Sequence, residues 1–221
     1  MPTTLPGTTV TEELELTRGR DGGGGDSGLG GDGSEGSAGI PAVPQRIYIT
    51  GMTVALGGIL MFFMALTSAY IVRKGISFDW RPLVLPRILW LNTAILLFSS
   101  ATIARARRYF LRDDIQGFRH WWGLTTALGL LFLIGQVIAW RQLAAQGVYL
   151  ASNPSSSFFY VLTAAHGLHL LGGIVALLFV GLRWARQTRL TPATATEVVS
   201  IYWHFMDGLW VFLLLLLYLG R

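Results

Sequence analysis

The sequence contains no cysteine among its 221 residues. This absence excludes disulfide bonds, zinc sites built on thiolates and any copper centre bridged by cysteine. Charged residues are scarce as well, at 13% of the chain, whereas 52% of the residues are apolar. So much apolar side chain must be buried either in a soluble core or in lipid.

The distribution of the apolar residues favours lipid. Three long segments contain a single Asp, Glu, Lys or Arg among them: Trp121–Trp140, Phe158–Leu182 and Val198–Leu219. Roughly 20 helical residues cross about 30 Å of hydrocarbon, so each segment is long enough to span a membrane. A soluble domain has no use for such runs.

The N-terminal part has a different composition. Seven of the twelve acidic residues precede Gly36, and eleven of the 21 residues from Gly19 to Gly39 are glycine. We predict a disordered tail over residues 1–44. The first apolar run begins near Ile47 without a basic segment before it, which argues against a cleavable signal peptide.

The basic residues belong to the rest of the chain, since fifteen of the seventeen lie from Arg46 onward. They cluster at the ends of apolar runs, where they meet lipid headgroups or fix topology, and we therefore exclude a nucleic-acid partner. A cytoplasmic N-terminus and periplasmic C-terminus would place eleven basic residues in the cytoplasm and six outside. This bias predicts that orientation.

We predict an all-α integral membrane bundle. The five helices are expected at Ile47–Val72, Pro86–Ala106, Phe118–Leu143, Ser157–Trp184 and Thr196–Leu219. Pro86 suits a first helical turn, and Asn153-Pro154 is typical of a loop. Gly57-Gly58 and Gly172-Gly173 predict close approaches between helices.

Two histidines, His166 and His169, lie three residues apart on the fourth span and share a helix face. We interpret them as polar contacts between closely packed helices. The alternative is haem or metal ligation, which needs a further ligand from His204 or His120. His120 stands beside Trp121 and Trp122 and is more typical of the membrane interface.

The last span carries Glu197, His204 and Asp207 on one helical stripe. A charged aspartate at mid-membrane costs about 2.5 to 3.5 kcal/mol, so Asp207 needs a partner. His204 is the nearest candidate, and the fourth-span histidines or a residue of another subunit are further ones. The acid and its partner could form a static pair that joins helices or part of a proton relay.

Other polar residues have simpler interpretations. Asn92, Thr93, Ser99, Ser100 and Gln136 are typical of contacts between helices. Five further residues are expected at the level of the lipid headgroups: Tyr70, Arg73, Trp80, Trp140 and Trp184. Of these, Tyr70, Arg73 and Trp80 are expected to contact lipid.

The order of several motifs resembles the subunit III family of the cytochrome c oxidases. The fourth span contains Ser157-Phe-Phe-Tyr-Val-Leu-Thr-Ala-Ala-His-Gly-Leu-His-Leu-Leu-Gly-Gly173, and the fifth contains Tyr202-Trp-His-Phe-Met-Asp207. Leu66-Thr-Ser-Ala-Tyr70, the segment Leu91–Ser100 and Leu128-Gly129 precede them in the family's order. The resemblance covers about Arg46 to Arg221. With five helices, the chain is similar to the bacterial form of the family.

The resemblance implies a non-catalytic subunit of a haem–copper oxidase in aerobic respiration, inactive alone and located in the bacterial inner membrane. It implies that the chain holds no cofactor, that haem and copper belong to partner subunits, and that the partners are subunit I, subunit II and phospholipid. The family's polar interior residues match six positions: His166, His169, Glu197, Trp203, His204 and Asp207. Many members carry glutamate where this chain has Ile59 and Ala139. A role that those glutamates have in other members is therefore not expected of this chain.

Two further readings stay open at this point. A subunit-III-like protein linked to nitric oxide reduction shares the fold. A free-standing haem b or quinol-handling cytochrome would use His166, His169 and His204. A small transporter is not favoured, because the sequence shows no inverted repeat.

Overall fold

The computed structural model describes residues 45–76, 85–185 and 193–220. Within these ranges all regular secondary structure is helical: α1 (Gln45–Ile76), α2 (Ile88–Phe110), α3 (Ile115–Ala145), α4 (Pro154–Ala185) and α5 (Ala193–Leu219). All five are long and apolar enough to cross a membrane, so the predicted all-α membrane bundle is confirmed. The predicted disordered tail of residues 1–44 lies outside the described residues.

The helices extend beyond most of the predicted ends, and side chains cap the beginnings of α3 and α4. Pro154 is not in a loop but is the first residue of α4, where its missing N–H costs nothing. Asn153 precedes it, and the Asn153 side-chain oxygen accepts a hydrogen bond from the Ser156 N–H at 3.1 Å. Asn153 therefore acts as the N-cap of α4, and the helix begins three residues earlier than predicted.

A short turn joins α2 to α3, and a side chain of this turn caps α3 as Asn153 caps α4. Asp113 has a positive φ of 55°, a conformation that aspartate tolerates better than most residues. The Asp114 side chain then accepts a hydrogen bond from the Gly117 N–H at 2.9 Å and caps α3. Pro86, by contrast, lies two residues before α2 rather than in its first turn, and its carbonyl accepts from the Leu89 N–H at 3.1 Å.

Four of the helices form a ring. In the described part of the chain, α2 packs against α3, α3 against α4, α4 against α5, and α5 against α2. The interior of the ring is filled by large side chains that are almost completely buried, among them Leu96, Phe132, Leu170, Trp203 and Trp210.

Helix α1 lies outside this ring and contacts α4 and α5 alone among the described helices. Its buried side chains are Phe63, Thr67 and Tyr70, which recur at three- and four-residue intervals and form one stripe. The rest of α1 presents apolar residues such as Met61 and Met64 to the surroundings. These exposed side chains fit a lipid-facing surface.

Glycines permit the closest approaches between helices. A Cβ at Gly129 would lie 2.6 Å from Cη2 of Trp203, and one at Gly173 would lie 2.9 Å from the Tyr202 ring. The predicted close packing at Gly173 is therefore confirmed. Gly57 and Gly58 have no such neighbour among the described atoms, so the expected close approach at that pair is wrong within this chain.

Candidate functional site

The indole N–H groups of four tryptophans form hydrogen bonds between neighbouring helices of the ring. On α5, Trp203 donates to the Ser99 hydroxyl and Trp210 donates to the Thr93 hydroxyl of α2, each at 3.0 Å. On α3, Trp122 donates to the Leu177 carbonyl at 2.9 Å and Trp140 donates to the Thr163 hydroxyl at 3.1 Å, both on α4. Because an indole can only donate, each of these bonds needs an acceptor on the neighbouring helix.

The hydroxyl acceptors on α2 are held in place by their own helix. The Ser99 hydroxyl donates to the Leu96 carbonyl at 2.7 Å, and the Thr93 hydroxyl donates to the Leu89 carbonyl at 2.8 Å. Each hydroxyl thus donates within α2 and leaves a lone pair for an indole of α5. The arrangement satisfies these polar groups at the centre of the bundle.

Two further polar contacts join α2 to α5 on the outer side of the same boundary. The Ser100 hydroxyl lies 2.6 Å from Nδ1 of His204. Near the helix ends, Nη2 of Arg107 lies 2.9 Å from Oε1 of Glu197, with both side chains partly exposed. Together with the two indole bonds, these contacts follow the antiparallel pairing of α2 and α5 over most of their length.

Asp207 is 3% exposed, and neither carboxylate oxygen has a hydrogen-bond partner among the described residues. The expected pairing with His204 is wrong, since His204 bonds Ser100 instead. Residues three apart differ by about 60° around a helix, which separates the exposed His204 from the buried Asp207.

His166 is completely buried among aromatic rings. Its ring centroid lies 5.1 Å from that of Trp210, 6.0 Å from that of Phe132 and 6.5 Å from that of Phe63. Neither ring nitrogen has a hydrogen-bond partner in the described residues. The structure therefore places His166 at the meeting point of α1, α3, α4 and α5.

His169 points to a different neighbour. Its Nδ1 lies 2.7 Å from the Ala165 carbonyl oxygen, and its ring lies 5.6 Å from the Phe63 ring of α1. Its own carbonyl accepts a hydrogen bond from the Tyr202 hydroxyl of α5 at 2.7 Å. His166 and His169 flank the same phenylalanine but converge on no common polar partner among the residues described.

The arrangement offers little for metal binding. In the described parts of the chain, no three His, Cys, Asp or Glu side chains are grouped closely enough to hold a metal ion. The exposed His120 lies edge-on to Trp121, with 5.9 Å between ring centroids, as an interfacial residue would. Ile59 and Ala139 pack with the apolar core, and Ala139 is fully buried.

The residues expected to contact lipid have different surroundings. Tyr70 is 3% exposed and packs edge-on against Phe158, so its ring lies inside the bundle rather than at its surface. Arg73 lines an open groove of about 710 Å³ between the end of α1 and the start of α4. Trp80 lies outside the described residues.

Sequence reasoning missed several of the contacts that join neighbouring helices. Arg107 stands in an arginine-rich segment that gives no sign of which arginine would meet Glu197. Trp122 and Trp140 end apolar runs and look like interfacial residues, yet their indoles point to α4. Ser99, Ser100 and Thr93 do contact another helix, as predicted.

Known proteins of one family are similar in sequence to this chain. The family model described as cytochrome c oxidase subunit III matches residues 48–220. The "Probable cytochrome c oxidase subunit 3" of Mycobacterium tuberculosis (strain ATCC 25618 / H37Rv) is 36% identical over 177 residues, which cover 77% of this chain and 87% of that protein. The "Cytochrome c oxidase subunit 3" of Thermostichus vulcanus is 35% identical over 181 residues, covering 77% and 86%.

A third relative is slightly less similar. The "Cytochrome c oxidase subunit 3" of Synechocystis sp. is 34% identical over 167 residues, covering 71% of this chain and 69% of the relative. The family match spans all five described helices, and the relatives share one name. The chain belongs to the cytochrome c oxidase subunit III family.

Proposed function

We propose that this chain is a non-catalytic accessory subunit of a haem–copper cytochrome c oxidase and that it holds no haem or copper. Its role is to brace the catalytic subunit during aerobic respiration. Subunit I, which carries the reaction centres, is its principal partner, and subunit II belongs to the same complex. Neither nitric oxide reduction nor a free-standing cytochrome has comparable support.

One observation carries this proposal: many polar side chains within the described spans bond a neighbouring helix or their own helix, although His166 and Asp207 have no hydrogen-bond partner among the described residues. Four indoles bond neighbouring helices, and Nδ1 of His204 and Nδ1 of His169 have partners in this chain. The sequence adds no cysteine and only four histidines. The available donors therefore serve packing, and few remain for a redox centre.

The six polar residues shared with the family take structural roles in this proposal. Trp203, His204 and Glu197 join α5 to α2. His169 lies against α1, and His166 fills the centre between four helices. Asp207 is buried within the bundle, and neither of its carboxyl oxygens has a hydrogen-bond partner among the described residues.

Phospholipid occupies the groove lined by Arg73. The groove has the apolar walls that acyl chains need, from Val72, Ile76 and Phe158, and polar groups at Asn153 and Ser157. An arginine at the end of a membrane-spanning helix is well placed to meet a phosphate group. This proposal agrees with the contact between Arg73 and lipid that the sequence predicts.

The chain lies in the bacterial inner membrane with a cytoplasmic N-terminus and a periplasmic C-terminus. The basic-residue bias of eleven to six supports this orientation. Termini on opposite sides need an odd number of spans, and the described residues contain five. Fusions of alkaline phosphatase and a cytoplasm-dependent fluorescent protein to each terminus test it. Phosphatase activity at the N-terminal fusion would contradict the proposed topology.

The proposed function is tested by affinity purification of the tagged chain from its native membrane. Mild detergent should recover haem and copper together with the chain, and dissociation should leave the chain without a Soret band. A stoichiometric Soret band that stays with the isolated chain would contradict the cofactor-free role. Purification without any haem-bearing partner would contradict membership of the oxidase complex.

A further inference from the structure

Each of the four helices of the ring buries one polar side chain whose hydrogen-bonding atoms have no partner among the described residues. These side chains are at most 3% exposed, and they lie on α2, α3, α4 and α5 in turn: Asn92, Gln136, His166 and Asp207. The unpartnered atoms are the Asn92 amide nitrogen, both amide atoms of Gln136, both ring nitrogens of His166 and both carboxyl oxygens of Asp207. Thr196, the fifth described residue of this kind, lies apart from them near the start of α5.

Contacts between the helices bring these polar residues close to one level of the bundle. Trp210 of α5 bonds the Thr93 hydroxyl of α2, and its ring lies 5.1 Å from that of His166 on α4, between centroids. Gly135 of α3 meets Asn92, the residue before Thr93, since a Cβ at Gly135 would lie 2.8 Å from Cγ of Asn92. All four helices of the ring are thus in register around Trp210.

The positions of the other two residues follow from helix geometry. Gln136 comes directly after Gly135 on α3, and a helix rises about 1.5 Å per residue. Asp207 precedes Trp210 by three residues, or about 4.5 Å. The four side chains therefore lie within about one helical turn of each other along the bundle, inside a ring whose packed helices are about 8 to 10 Å apart. We call these four side chains the interior polar layer: Asn92, Gln136, His166 and Asp207.

The interior polar layer needs a small occupant that can both donate and accept hydrogen bonds. A polar atom inside a membrane protein is costly when it has no partner, because lipid provides none. A lipid headgroup cannot reach side chains that the surrounding helices cover almost completely. The chemistry of the donors suits water better than a metal ion, since Asp207 is the only acid and His166 the only imidazole among the four.

Water matches the mixed hydrogen-bonding groups of the layer. A water molecule can accept from the amide N–H of Asn92 or Gln136 and donate to a ring nitrogen of His166 or a carboxyl oxygen of Asp207. Buried waters typically form about three hydrogen bonds to polar groups that otherwise have no partner. The amide groups can turn to meet water, because the last torsion of such a side chain has broad energy wells. Small residues adjoin Gln136 on α3, among them the buried Ala139 one turn away.

We propose that the interior polar layer is a binding site for a small cluster of ordered water molecules, which bridges all four helices of the ring. The cluster supplies the hydrogen bonds that the four side chains do not make to one another. All of its protein ligands come from this chain, so the site does not depend on which subunits surround the bundle.

Radiolytic labelling tests for bound water directly, because an X-ray pulse converts bound water into hydroxyl radicals that oxidise the nearest side chains. The chain is purified from its native membrane with the subunits that accompany it, equilibrated in water enriched in oxygen-18, irradiated and analysed by mass spectrometry. Phe132 and Trp210 contact His166 and report on the layer. Phe159 is the control, since it is as deeply buried but lies seven residues nearer the start of α4 than His166. We expect several-fold more oxygen-18 on Phe132 and Trp210 than on Phe159.

A matched pair of substitutions shows whether the layer holds the water. Gln136→Leu removes two polar atoms of the layer and keeps a side chain of comparable size. We expect it to reduce labelling of Phe132 and Trp210 several-fold. Thr163→Val is the control, because it removes another buried polar group between α3 and α4 that bonds Trp140 and lies outside the layer. Labelling in this variant should equal that of the parent chain.

Three results would overturn the inference. Labelling of Phe132 and Trp210 as low as that of Phe159 would show that the interior is dry. Equally strong labelling of all three would show that bulk water enters the bundle without a specific site. These two results come from the parent chain and do not depend on how Gln136→Leu folds. Unchanged labelling in a folded Gln136→Leu variant would show that the water is held by other residues.

Discussion

Trp203 donates its indole hydrogen to the Ser99 hydroxyl at 3.0 Å, while a Cβ at Gly129 would lie 2.6 Å from the far edge of the same ring. One side chain of α5 thus fixes the positions of both α2 and α3. The ring is fully buried, so the cost of losing either contact cannot be relieved by lipid. This relationship gives the first two tests.

Replacing Ser99 with alanine should destabilise the bundle. The Trp203 N–H would then lie in the membrane interior without an acceptor, and hydrogen bonds between membrane helices contribute about 0.6 to 1.7 kcal/mol. The free energy of unfolding in mixed micelles measures the loss. Ser152→Ala is a control near the loop before α4, and its effect should be smaller. Equal stability of Ser99→Ala and the parent chain would show that the bond contributes nothing.

Gly129→Ala should destabilise by about 1 to 3 kcal/mol, because the added methyl group overlaps the Trp203 ring. Gly123→Ala is a matched control on the same helix, since nothing lies within 4 Å of its new methyl group. The control should be neutral or more stable by up to about 1 kcal/mol, as alanine favours helix. Thermal unfolding of the two purified variants distinguishes them. Equal destabilisation would mean that the close approach at Gly129 is unimportant.

The number and type of helices were predictable because long, nearly uncharged segments leave few alternatives to membrane spans. The helix ends were less predictable, since Asn153 and Asp114 extend α4 and α3 through side-chain hydrogen bonds that hydropathy does not detect. Capping signals at Asn153 and Asp114 were present in the sequence and could have been used.

The direction of individual side chains was the hardest feature to predict. Trp122 ends up buried with its N–H on Leu177, although its position at the start of an apolar run suggested the interface. His204 and Asp207 share a stripe on a helical wheel, yet the packing of α2 leaves one exposed and buries the other. Only the neighbouring helix decides between those outcomes.

Asp207→Asn should leave turnover and proton translocation within roughly twofold of the parent oxidase. The amide has almost the same shape as the carboxyl group, and the carboxyl oxygens have no hydrogen bond to lose among the described residues. Oxygen uptake and proton translocation in proteoliposomes provide the measurement, with Glu197→Gln as a control outside the buried region. Selective loss of proton translocation in Asp207→Asn, with normal assembly, would instead favour a proton relay.

Arg73→Gln should reduce the phospholipid that stays with the purified complex. The substitution removes the positive charge from the groove between α1 and α4, and interaction with an anionic headgroup contributes about 1 kcal/mol per basic residue. Lipid phosphorus per haem is the measurement. Arg141→Gln is the control, because Arg141 is exposed near the end of α3 and does not line this groove. An equal decrease in both variants would remove the support for a specific lipid site.

The bracing role is tested most directly by comparing the oxidase with and without this chain during sustained turnover. The haem spectrum and the first-minute rate of oxygen uptake should be nearly unchanged on removal, since we propose that partner subunits hold the redox centres. The active lifetime should shorten, because on this proposal the chain no longer covers the catalytic subunit and lipid and water can rearrange there. Early inactivation with an intact haem spectrum is the predicted result, and an unchanged lifetime or immediate loss of haem from the assembled catalytic subunit would contradict it.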